Sequence, residues 1–490
     1  MAISSVFIIF IAKSKAIMKH IIGRNQELKI LKGVFESNKS EFVAVYGRRR
    51  VGKTFLIREA FDNKFTFQVS GLANATLSQQ LTNFYVALQK ANAPKKYPKV
   101  NNWLMAFQDL IAYIETSPDT KKVIFIDELP WFDTQNSGFI QALEHFWNSW
   151  ASARRDIILI VCGSAASWMI NKLINNKGGL HNRIRKRLKV VPFTLKECQS
   201  LLAVKHSALD YYQIIQLYMV LGGIPYYWDE VSTAMSAMQN IDAICFQENG
   251  LLKNEFDNLY RSLFKNYEKY LSIVNALAKK SKGLTRDEIV KESNLANAGS
   301  LTRLLDELEE SGFIRKYAPF GKKSRNSLYQ LVDFYTLFYL KFINGASSDD
   351  ENNWMTMIDN PKYRAWSGYA FEQVCLYHLP QIKESLGISG IGTNTSSWRS
   401  TSTEQGVQID LVIDRRDQVI NLCEMKFSIK EFVIDKKYNQ ELRNKIGFFK
   451  AETGTKKSVF LTMVTTFGIL QNSNSIGLIQ NEIRMEDLFK

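Results

Sequence analysis

The stretch EFVAVYGRRRVGKTFLIREA (41–60) constrains this chain more than any other. A short apolar run ends at Gly47. GRRRVGKT (47–54) then satisfies GxxxxGK[ST] at every position, and a helix-forming run follows. Strand, glycine loop and helix in that order form a phosphate cradle: glycines let the backbone curl round an anion, and the helix start adds partial positive charge. On this reading Gly47, Arg48, Arg49, Arg50, Val51, Gly52, Lys53, Thr54 and Phe55 line a nucleotide. Lys53 reaches the β- and γ-phosphates and Thr54 ligates Mg²⁺.

VIFIDE (123–128) supplies a second half-site. An apolar strand delivers Asp127 to the metal, and Glu128 follows as general base for the attacking water. The expected reaction is therefore hydrolysis of ATP with Mg²⁺. The strand expected over 65–71, between the two motifs, points to the P-loop branch with an additional strand and a catalytic Glu. At the end of IILIVCGS (157–164), Ser164 reads either as a sensor of the γ-phosphate and water or as a helix N-cap. HNRIRKR (181–187) reads as a basic loop, with Arg183, Arg185 and Arg187 as candidates for an arginine finger, in cis or from a neighbour.

Further strands are expected at 157–164 and 189–193, and helices over 53–61, 77–116 and 139–150. Alternation of this kind implies an α/β fold with a parallel sheet. From 195 to 265 the pattern is helical, broken by GGIP at 222–225. Three helices (267–280, 285–293, 300–311) and a hairpin (GFIRKYA … NSLYQLV) follow, the pattern of a winged helix. There Asn297, Ser300 and Arg303 would face outward, with Lys316, Lys322, Lys323 and Arg325 at the wing. Asp306, Glu307, Glu309 and Glu310 make that helix's far end acidic, so DNA binding and a protein–protein spacer both stand. GASSDDENNW (345–354) is a polar linker.

In the last segment Glu372 lies on a helix, Asp410 on VQIDLVID and Glu424 with Lys426 on VINLCEMKFS. Residues two apart on a strand share a face. Glu424, Lys426 and Asp410 of the neighbouring strand can thus assemble a Mg²⁺ site, with Asp410 and Glu424 as ligands, Glu372 nearby and Lys426 in the chemistry. Gln408 stands where related nucleases often carry an acid.

The strings IGRNQEL, GRRRVGKT, FIDELPW, CGSAASWM and LGGIPYYW, in this order, resemble the archaeal-type ATPase family, an AAA+/STAND-like P-loop group. The resemblance covers the chain from Ile21. It implies a winged helix and a C-terminal domain similar to PD-(D/E)XK nucleases behind the ATPase. It also places Gly23 and Arg24 near the adenine, and Gly222–Pro225 near a second sensor. The domains expected are an extension (1–18), the ATPase core (19–205), a helical lid (206–265), the winged helix (266–344) and the nuclease-like domain (345–490).

Length and charge set the remaining bounds. A chain of 490 residues exceeds one ordinary core. The net charge of +15 favours polyanionic partners, DNA first. Five scattered cysteines and no HxxxH pair point to a reducing, cytoplasmic setting without a zinc site. The apolar run Val6–Ala12 is far short of the ~20 residues that span a bilayer, so no membrane partner is expected. MKHIIGRNQEL from Met18 reads as the natural start, or residues 1–17 read as a frayed extension. The expected function is an ATPase coupled to a winged-helix DNA-binding module and a nuclease-like C-terminal domain, with DNA and a further copy of the chain as the expected partners. The alternative is a nucleotide switch acting through protein contacts with an inactive nuclease fold.

Overall fold

The computed structural model describes residues 21–92, 100–176, 178–264, 266–322, 327–345, 353–400 and 406–490. The expectations for residues 1–17, Lys323, Arg325 and most of the linker lie outside these. The chain divides into two compact units, with the boundary between Pro192 and Phe193.

The first unit runs α1 (Asn25–Phe35), β1 (Glu41–Tyr46), α2 (Lys53–Ala60), β2 (Phe67–Ser70), α3 (Leu77–Ala91), α4 (Trp103–Thr116), β3 (Lys122–Asp127), α5 (Phe139–Ser149), β4 (Ile157–Gly163) and β5 (Lys186–Lys189). Its sheet is parallel throughout, in the order β2-β3-β4-β1-β5. Phe42, Ala44, Ile124, Ile126, Leu159 and Val161 share one core with Phe84, Trp103, Phe107 and Phe146 from α3, α4 and α5. The alternate residues Val43, Val45, Val123, Phe125, Ile158 and Ile160 are buried too, so both sheet faces are covered, as parallel sheets require.

Three expectations need correction here. The stretch 77–116 is two helices, each with its own N-cap: Thr76 bonds the N–H of Gln79, and Asn102 bonds that of Met105. The last strand is Lys186–Lys189, not 189–193. Arg187 consequently sits opposite Ala44 in the sheet, not on a loop. Finally, β2 lies at the sheet edge, and it is β4 that separates β1 from β3.

The second unit opens with α6 (Leu195–Val204), α7 (Tyr211–Leu221), α8 (Ala237–Cys245) and α9 (Glu255–Leu263). Next come α10 (Tyr267–Ala278), α11 (Arg286–Ser293), α12 (Gly299–Glu310) and the antiparallel pair β6 (Ile314–Tyr317) and β7 (Leu328–Leu331). Thr285 and Glu288 form a capping box at the start of α11. Leu301, Leu304, Leu305 and Leu308 form the buried stripe of α12.

The unit ends with α13 (Pro361–Tyr377), α14 (Leu379–Ser385), β8 (Thr393–Arg399), β9 (Gln408–Arg415), β10 (Val419–Lys426), α15 (Lys436–Thr453), β11 (Ser458–Thr465) and β12 (Asn481–Ile483). The sheet order is β12-β11-β10-β9-β8. Pairings are antiparallel from β8 to β10 and parallel from β10 to β12.

Candidate active site

The loop between β1 and α2 adopts backbone angles that explain its glycines. Gly47 has φ 144°, and a Cβ there would lie 2.2 Å from the carbonyl oxygen of Val190. Arg50 (φ 67°) and Gly52 (φ 87°) complete the curl. The first N–H groups of α2 have no partner within the helix, so they are available to an anion. Lys53 is buried, and its ammonium donates to the carbonyls of Gly47 (3.1 Å) and Arg48 (2.8 Å). Val51 and Arg48 are buried, Arg49 is exposed, and Phe55 is 52% exposed.

The resemblance places Gly23 and Arg24 near the adenine. Both take positive φ ahead of α1. Arg24 is buried and donates to the carbonyl of Val51 at 3.1 Å, so it braces the phosphate loop directly.

From the other strands, the Thr54 hydroxyl donates to Asp127 Oδ2 at 2.8 Å, and the Glu128 N–H donates to Asp127 Oδ1 at 2.9 Å. Glu128 has φ 47°, an uncommon region for a residue with a side chain. Its carboxylate is held at both ends by Ser164, through the hydroxyl at 2.7 Å and the backbone N–H at 3.2 Å. The sequence readings did not include this pair. Ser164 directly follows β4, the strand beside β3, so its contact with Glu128 follows from strand order rather than from spacing. Beneath the site, burial, followed by the charge of Asp127, pushes the Cys162 thiol well up and keeps it neutral. Arg183 and Arg187 are exposed. Among the described residues neither pairs with Lys53, Asp127 or Glu128. Gly222 (φ 56°) ends α7 in the second unit, and Pro225 opens a short helix there.

The C-terminal carboxylates do meet. Cys423 pairs with Leu411, so the next residues on the two strands, Glu424 and Asp410, lie opposite one another. Gln408 donates to Asp410 Oδ1 at 3.1 Å. Burial and then the charge of Asp410 push Glu372 up to about 8, and burial likewise raises Glu424.

Other groups there were not foreseen. Lys445 of α15 donates to Glu424 Oε1 at 2.6 Å, and the Tyr438 hydroxyl lies 3.4 Å from Oε2. Lys282 stands 3.7 Å from Asp410, and Lys426 lies over the Tyr438 ring at 5.1 Å. Tyr438 and Lys445 are two helical turns apart and share a face with buried Leu442 and Phe449. That spacing was the signal available in the sequence. Among the described residues no three of His, Cys, Asp and Glu come together as a metal-holding group.

An uncharacterized protein of Methanocaldococcus jannaschii is 25% identical over 430 residues, 86% of this chain and 91% of that one. An uncharacterized ATP-binding protein of the same organism is 44% identical over 43 residues, 9% of this chain and 73% of its own length. Among solved structures, the Walker-type ATPase of Pyrococcus abyssi is 17% identical, with a TM-score of 0.49 over 66% of this chain and 97% of that one. Among the described residues no helix is long and apolar enough to cross a membrane. The family described as the ATPase domain predominantly from Archaea matches residues 21–231, so the chain carries an ATPase domain of this archaeal type.

Proposed function

We propose that the chain is a Mg²⁺-dependent ATPase working through the site above. The observation that carries this is the run of contacts Thr54–Asp127–Glu128–Ser164, set against the loop that holds Lys53. The donor set fits a metal-bound nucleoside triphosphate. Lys53 would neutralise the β- and γ-phosphates, and Thr54 and Asp127 would hold the cation. Ser164 orients Glu128, which takes the proton of the attacking water. Mg²⁺, when bound, offsets charge developing on the phosphates. Arg183 and Arg187 are exposed and unpaired with this site, which supports a role as fingers toward a neighbouring copy. Glu128→Gln is the test: it should retain ATP while hydrolysis falls by about 10²–10⁴-fold. Wild-type turnover in this variant refutes the assignment.

The segment 267–331 is read as a winged helix directed to DNA, with the net charge of +15 in support. Its duplex binding should weaken steeply with salt, and a flat titration refutes it. The segment 361–483 is read as a PD-(D/E)XK-like fold. Lys445 on Glu424 favours the second reading for this module, in which the fold is retained without nuclease chemistry. Plasmid nicking in Mg²⁺ or Mn²⁺ decides between them.

A further inference from the structure

The C-terminal cluster disagrees with the metal chemistry of the fold it is read as. Its two ligand positions are already met by cations of the chain itself. Glu424 is 2% exposed and its Oε1 accepts from Lys445, while Tyr438 reaches the other oxygen. Asp410 is 14% exposed and faces Lys282, with Gln408 on the same oxygen. A divalent ion needs several free carboxylate oxygens, and both oxygens of Glu424 and Oδ1 of Asp410 are already engaged.

The two lysines differ in how they are held. Lys445 projects from α15, a helix anchored by buried Leu442 and Phe449. Lys282 comes from the winged-helix segment, on the turn between α10 and α11. Ser281 and Lys282 offer their carbonyls to the Gln330 amide (2.6 Å) and the Tyr317 hydroxyl (2.7 Å). Gly283 takes φ +86°, and a Cβ there would lie 2.6 Å from the carbonyl oxygen of Tyr329. The same segment reaches the C-terminal sheet, where the Phe320 N–H donates to Ser397 on β8 at 2.7 Å. Gln330 also lies 3.4 Å from the Tyr369 hydroxyl, one helical turn before Glu372 on α13. The position of the winged helix is thus wired to the carboxylates.

We propose that Lys445 and Lys282 take the place of divalent cations in this cluster, Lys445 permanently and Lys282 as a releasable plug carried by the winged helix. The C-terminal module is metal-free while that turn is seated. Withdrawal of the winged helix frees Asp410 and the neighbouring Glu372. This inference rests on the nuclease-like reading of the fold.

The test titrates Mn²⁺ into the full chain, nucleotide-free and carrying Asp127→Asn so that the ATP site does not contribute. Free Mn²⁺ is followed by electron paramagnetic resonance. With Lys282 present no saturable site is expected. Lys282→Ala should create one, Asp410→Asn should remove it again, and Lys282→Arg should leave the protein metal-free. Saturable Mn²⁺ binding of equal strength with and without Lys282 overturns the plug while leaving the nuclease reading standing. No binding in Lys282→Ala, or in a folded Lys282→Ala, Lys445→Met protein, sinks the nuclease reading and the plug with it. If the double variant does not fold, Lys282→Ala against its parent decides alone.

Discussion

Ser164 grips both oxygens of Glu128, with its hydroxyl 2.7 Å from one and its N–H 3.2 Å from the other. Of the two, only the hydroxyl is open to substitution. Ser164→Ala should lower kcat for ATP roughly tenfold, in line with ~1.5 kcal/mol for a hydrogen bond to a charged group. Nucleotide affinity should hold, and Ser164→Thr should recover the rate. Steady-state hydrolysis beside a nucleotide titration separates the two quantities, and an unchanged kcat removes Ser164 from orienting the base.

Lys53→Ala should weaken ATP binding on the order of 100-fold, since the triphosphate loses a buried charge partner. The same ammonium ties the Gly47 and Arg48 carbonyls together, so the loop loosens too. Equal calorimetric affinity in mutant and wild type contradicts the phosphate-loop assignment.

Two glycine substitutions make a contrast. Gly47→Ala forces a Cβ to 2.2 Å from the Val190 carbonyl oxygen at an unfavourable φ. It should destabilise the first unit by about 3 kcal/mol or more. Gly33 lies inside α1 with nothing within 4 Å of a new Cβ, so Gly33→Ala should be neutral or stabilising by up to ~1 kcal/mol. Urea midpoints of the nucleotide-free protein give both values.

Glu372 carries a pH signature. Its folded value is raised from 4.5 to about 8 by burial and then Asp410, so the folded state holds the proton more tightly than the unfolded one. That contribution is full at the acid end and is lost as pH rises toward 8. Glu372→Gln, neutral throughout, should flatten the dependence of Tm on pH in this window. It should also melt a few degrees higher than wild type at the alkaline end. Parallel melting curves across the window would exclude the effect.

The phosphate loop and the Asp127–Glu128 pair were legible because their chemistry is contiguous in sequence. Thr54 and Asp127 were both expected at the metal, and their side chains meet. The Ser164–Glu128 contact was not legible, because it depends on β4 lying beside β3. The strand after the basic run was misplaced for a physical reason. VVPF carries the apolar signal, whereas Lys186–Lys189 is an edge strand with only Leu188 buried. At the C-terminal cluster the two-residue strand rule found Asp410, Glu424 and Lys426. Lys282 arrives from 128 residues before Asp410 in the chain, beyond any local pattern.

The sheet order also bears on how the chain is made. Both neighbours of β1, β4 and β5, are synthesised long after it. Ser40, just before β1, bonds the N–H of Ile157 across 117 residues. At about 5–20 residues per second, the apolar strand EFVAVY waits on the order of ten seconds for a hydrogen-bonding partner. The phosphate loop, whose Gly47 rests on Val190, waits longer still. A nascent chain stalled before residue 157 therefore presents β1 unpaired, which makes it a natural client for a chaperone. The ability to hold nucleotide arises late in translation, after the whole first unit has left the ribosome.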